Sequence, residues 1–289
     1  MTPEAQRQNQ ILAAFESPRV CLMEAKDALK EFDTLLSDWN PDSTFEILEQ
    51  EHNTPNQKRV LLRPLKFPER LNGKASSVIK WLRDALDQAV WTATSIIEHH
   101  PSDWDARRTN FPSAKSEDHF DGLFEKRGPC GDLSKSLMPL LRSFEPWPGK
   151  LSHPGEKVWP AGPNRVVGND MLKNLLDSSN VAKHRHLLAA SPIITEMTIE
   201  EFTFSEVVYA SVPPRRIVGT DDHLIAIVPN DATYVFASKI EFETVLHNSV
   251  SSRPNATATQ ELSQMLSICS EIVRDISQQT IIEEYKAHR

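Results

Sequence analysis

The 289-residue sequence predicts an α+β fold: a helical N-terminal part built on two long packed helices, then an antiparallel sheet closed by a C-terminal helix. Three observations carry this expectation. Apolar residues recur at helical spacing over about 74–99 and 169–190, β-branched and aromatic residues concentrate between about 193 and 246, and a last helical pattern fills 257–285.

Taken in order, residues 4–38 place Ile11, Leu12, Phe15, Leu22, Ala25, Leu29, Phe32 and Leu36 at spacings of three, four and seven, which predicts two consecutive helices with a break at Ser17-Pro18. From Ser43 the texture alternates, the NTPNQ stretch reads as a turn, and Arg59 to Leu65 is strand-like, so a β-hairpin is expected near 43–65. Asn72-Gly73 opens a long helix that buries Val78, Leu82, Ala85, Leu86, Ala89, Ala93 and Ile96 and stops before Pro101. Between 101 and 168 prolines and glycines are dense, with one short helix around Leu133 to Phe144. Asn169 is a candidate N-cap for the second long helix, which is expected to end at Ser191-Pro192. About four strands follow. The last helix presents Leu262, Leu266, Cys269, Ile272, Val273 and Ile276, while Asp275, Glu283 and Glu284 are read as its wet face. The division is thus 1–190 and 191–289, within one continuous globule.

With 39% hydrophobic and 25% charged residues the composition is that of an ordinary folded chain. No signal-peptide pattern opens it, and no stretch approaches the roughly 18 apolar residues needed to span a bilayer, so a cytoplasmic protein without membrane contact is expected. Cys21, Cys130 and Cys269 are far apart and predict buried free thiols rather than a disulfide or zinc set. His99, His100 and His119 lack the spacing of a metal site, and no glycine-rich phosphate loop occurs, so neither a metal nor a cofactor is expected. The net charge of −8 is uneven: −3 over 1–100, +2 over 101–190 and −7 over 191–289. Any RNA contact would therefore be local, in the middle third.

That third holds the most unusual stretch, NLLDSSNVAKHRHLLAA. On a helix, Lys173, Asp177, Asn180 and His184 share one stripe, beside an apolar face of Leu172, Leu175 and Leu176. On the other long helix Arg83 and Asp87 lie one turn apart beside its apolar stripe. If the helices pack together, Arg83, Asp87, Asn180 and His184 could meet in one network. One reading makes that network structural, fixing the register of two helices. The other makes it chemical: His184 as general acid/base, Asn180 orienting it, and Arg83, Lys183 or Arg185 stabilising phosphate charge. A third reading is a small-ligand pocket lined by Trp81, Trp91 or Trp159. The last helix also offers a surface for a homodimer.

The phrases WLRDALDQAVW (81–91), NFP (110–112), LMPLLRSFEPWPG (137–149) and SSNVAKHRHLL (178–188) resemble an uncharacterised family of bacterial proteins with "LRSALDH"-like and "NxDKHR"-like helix motifs, over the chain from about residue 70 onward. That resemblance implies a bacterial origin and no particular activity. A smaller one concerns HEPN-type domains, helical proteins many of which are metal-independent ribonucleases and carry an Arg, four residues and a His on a long helix. Here Arg83 is followed at that distance by Gln88, which cannot transfer protons, so RNA cleavage would require His184 to act in its place. An interaction or binding module without catalysis is the leading expectation.

Overall fold

The computed structural model describes residues 2–39, 45–64, 68–99, 108–147, 150–151, 166–167, 169–184, 190–203, 209–210, 216–217, 222–246 and 257–288. The chain is α+β, as its patterning predicts. Helices α1 (Pro3–Ala14) and α2 (Glu16–Ser37) are followed by strands β1 (Phe45–Glu51) and β2 (Gln57–Pro64) and then by α3 (Glu69–Ile97). Shorter elements follow: α4 (Glu117–Phe120), a 3-10 turn at Asp121–Phe124, another at Lys135–Leu137 leading into α5 (Met138–Ser143), and the strand pair β3 (Lys150–Leu151) and β4 (Val166–Val167). Then come α6 (Asp170–His184), β5 (Ala190–Thr203), β6 (Tyr209–Ala210), β7 (Arg216–Ile217), β8 (His223–Pro229), β9 (Thr233–Leu246) and α7 (Ala258–Ala287).

Helix α3 is the centre of the helical part. Leu82, Arg83, Ala85, Leu86, Ala89, Val90 and the run Thr92 to Ser95 are all buried, so it is enclosed on nearly every side rather than along one stripe. Helix α2 lies against it in the opposite sense, since Cys21 senses Asp84 and Ser17 donates to Gln88. Helix α7 runs in the same sense as α3: Arg83 acts on Cys269 near its middle and His99 on Glu284 near its end. Phe15, Phe32, Phe111, Phe120, Leu137 and Leu172 close the core from the surrounding elements.

The break between the first helices falls at Phe15 (φ −84°, ψ 13°), just before the expected place at Ser17-Pro18. Pro18 is still its cause: it has no N–H to donate to Ala14, and its ring would meet that carbonyl in a continuous helix. Pro18 instead sits in the first turn of α2, where the missing donor costs nothing. The second long helix does not reach its expected end at Ala190. It is helical to His184, and Ala190 is already a strand residue paired with Leu246, because Ser191 ahead of Pro192 prefers extended backbone.

The expected single C-terminal sheet is distributed over two antiparallel sheets. One has the order β7-β5-β9. In the other, β1-β2-β8-β6, the N-terminal hairpin is joined by a strand from the C-terminal third, with Lys58 opposite Val228 and Val60 opposite Ala226. Val60, Leu62, Ala226 and Val228 are buried there. The hairpin turn uses Asn56 at φ 63°, a left-handed conformation that Asn tolerates better than most residues.

Candidate functional site

Arg83 and Asp87, four residues apart on α3, form the polar centre of the helical part. The Arg83 Nε donates to Asp87 Oδ2 at 2.9 Å, and its Nη2 lies 2.8 Å from Oδ1. The same Nη2 donates to the carbonyl of Phe111 at 3.1 Å, while the Phe111 amide donates to Asp87 Oδ1 at 2.8 Å. Both backbone polar groups of Phe111 are thereby satisfied by one ion pair, whose Arg is buried and whose Asp is half-buried. Arg83 is 7% exposed. Without this pair, a loop segment carried into the core would leave an amide and a carbonyl unpaired, each costing about 1–3 kcal/mol.

The opposite side of the same loop is held from α6. Asn169 caps that helix, its Oδ1 accepting from the Leu172 amide at 3.0 Å. Lys173 pairs with Asp177 and approaches Ser113 Oγ at 3.4 Å. Ala114 N–H donates to the carbonyl of Pro146 at 2.9 Å, and the Phe111 and Phe144 rings stack with centroids 6.4 Å apart. Residues 110–114 are therefore clasped between two helices, each contributing an acid and a base one turn apart. The sequence places the clasping residues on the right faces but not what they grip. NFP is legible as a motif, yet nothing in those three side chains announces that the backbone of the middle one is the partner.

The other residues expected at this site fall differently. Asn180 lies exposed on α6, and no hydrogen bond joins it to Arg83 or Asp87 among the described residues. His184 is the last residue of α6; its side chain, that of Lys183 and the whole of Arg185 lie outside the described residues. Gln88, where the HEPN-type motif has its His, accepts from Ser17 in the α2–α3 contact. Trp91 is 40% exposed and Trp81 packs at the core margin with Lys80 Nζ 5.2 Å from its ring centroid, whereas Trp159 lies outside the described residues.

Cys130 borders the clasp. Its Sγ donates to the Asn110 carbonyl at 3.3 Å, and burial pushes the thiol up to about 12, with the Arg83 charge pulling it down and Asp87 pushing it further up. A thiol so held is no nucleophile at neutral pH. Burial raises Cys21 and Cys269 as well, and all three cysteines are free. Among the described residues no group of three or more His, Cys, Asp or Glu side chains is arranged to hold a metal ion, and no helix is long and apolar enough to cross a membrane.

A second polar cluster sits where the ends of α3 and α7 meet α1. Glu284, read from the sequence as part of a wet face, is 2% exposed. It extends the buried stripe of α7 by one turn beyond Thr280, itself one turn beyond Ile276, so the period that reveals the apolar face also predicts this position once charge is set aside. Its Oε1 accepts from Arg7 Nη2 of α1 and lies 3.1 Å from His288 Nε2, while its Oε2 has no hydrogen-bond partner among the described residues. Burial pushes this carboxyl up, but the hydrogen bonds from Arg7 and His288, with the charges of Arg7 and His99, outweigh that and hold it below the usual carboxylate range. The His99 and His288 ring centroids are 6.4 Å apart.

One groove, of about 750 Å³, runs between α2 and α3 past Lys30, Arg70 and Gly73, with a Lys74–Glu31 ion pair in its lining. Neither Trp81 nor Trp91 lines it. Comparison of the chain with protein-family models, curated proteins and solved structures gives no match in any of the three.

Proposed function

We propose that the chain acts as an interaction or binding module of a bacterial cytoplasmic protein, and that the Arg83/Asp87 pair serves folding rather than RNA cleavage. The observation that carries this reading is the state of Arg83. A cation that stabilises phosphate charge needs donors facing an open groove. Arg83 is buried, and its Nε and Nη2 go to Asp87 and the Phe111 carbonyl. Gln88 supports the same view, because it lies in a helix contact and could not transfer a proton in any case. The overall charge of −8 also disfavours a polyanion as the general partner.

The test is incubation of the full chain with a mixture of single-stranded and hairpin RNA in the presence of a chelator. Intact RNA is the expected result. Cleavage that disappears in a folded His184→Ala variant would overturn the proposal in favour of the HEPN-like nuclease with His184, Lys183 and Arg185.

A further inference from the structure

Helix α1 differs from every other long helix in how it is attached. Of its twelve residues only Ile11 is buried; Leu12, half-buried, is the other large apolar side chain in PEAQRQNQILAA, and the rest are polar or small. It continues α2 in the same general sense after the single non-helical residue Phe15, and it meets α7 through two polar ties. Arg7 reaches the Glu284 carboxylate, and the Tyr285 hydroxyl donates to the Glu4 carbonyl at 2.8 Å. Arg7 and Ile11 are four residues apart, so the ion pair and the apolar plug lie on one face. The Glu284 side chain is only 1% exposed whereas that of Arg7 is 46% exposed.

From this geometry we infer that α1 is a hinged strap, opening at Phe15 by itself while α2, α3 and α7 stay folded, with the buried Glu284 carboxylate as its catch. One buried apolar side chain and one half-buried one, Ile11 and Leu12, are too little to weld twelve residues onto the core, and regions with few buried apolar contacts open at a fraction of the global unfolding free energy. The catch is strong when closed because Glu284 is ionised, buried and lacks a described partner for Oε2, which leaves it dependent on Arg7 and His288. It is still releasable. Lifting α1 lets water reach both Arg7 and Glu284, so neither charge is stranded in the interior. Pro18 keeps the hinge where it is, because a continuous helix through Phe15 would bring its ring against the Ala14 carbonyl. The open state presents the seat of Ile11 beside a carboxylate and two imidazoles, a surface that the closed state hides.

Hydrogen exchange of the full chain at neutral pH tests this. The amides of Arg7 to Ala14 are expected to exchange on the order of 100-fold or more faster than those of Ala85 to Ala93, because local opening precedes global unfolding. Glu284→Gln should speed the α1 amides by a further factor of about 10, as loss of a hydrogen bond to a charged group implies, and leave the α3 amides unchanged. Arg7→Gln removes the same tie from its exposed side, and should have the same selective effect if Glu284→Gln fails to fold. Equal exchange in α1 and α3, or a variant that accelerates both alike, would overturn the strap and make α1 part of the cooperative core.

Discussion

At the scale of single residues, Arg83 and Asp87 show how an ion pair can be needed without being catalytic. Removing Arg83 leaves Asp87 charged and only partly exposed, together with an unpaired Phe111 carbonyl. Arg83→Ala should therefore destabilise the chain by on the order of 2–4 kcal/mol in denaturant unfolding. A loss below about 0.5 kcal/mol, the size of an ordinary surface substitution, would mean that the clasp is not needed for folding. The sequence shows both residues on the margin of an apolar stripe, and that much of the site was legible. Their partner was not, since a backbone carbonyl and amide have no signature in the sequence. Glu284 makes the converse point: charge suggests solvent, but its place in the helical period puts it inside, and only the proximity of Arg7 and His288 shows how the charge is tolerated.

At the scale of elements, the helices announce their ends better than their neighbours. Thr257 and Gln260 form a reciprocal capping box at the start of α7, with the Gln260 amide 3.3 Å from Thr257 Oγ1 and the Thr257 amide 3.0 Å from Gln260 Oε1. Thr257→Ala should cost about 1 kcal/mol, within a range of roughly 0.5–2, with the unfolding transition otherwise unaltered. Thermal or denaturant melts would show it, and an unchanged midpoint would mean that other contacts order this end of α7. Thr2 plays the same part for α1, where its Oγ1 accepts from Ala5 N–H at 3.3 Å. Strand partners carry no comparable local mark. The hairpin of β1 and β2 was visible from its alternation and turn, but the addition of β8 to its edge depends on a pairing across more than 150 residues of sequence.

At the scale of the whole molecule, pH should act through Glu284. Its carboxyl is held below its unfolded value, so its stabilising contribution is complete above the ordinary carboxylate range and is lost as pH falls through the lower folded value. The wild-type chain should accordingly lose stability on the acid side more steeply than Glu284→Gln. Denaturant midpoints measured from neutral pH downward would check the sign, and parallel curves for the two proteins would remove Glu284 from the account.

Local patterning accounts for the α+β class, the long helices, the hairpin, the buried thiols and the faces on which Arg83, Asp87, Lys173 and Asp177 stand, because period, caps and proline act within a few residues of one another. What those faces touch depends on the assembled fold. Residues 110–114 enter between α3 and α6, β8 joins β2, and Arg7 finds Glu284 across the length of the chain. Each of these satisfies polar groups that burial would otherwise leave unpaired, a requirement set by where the assembled core excludes water rather than by any local stretch of residues.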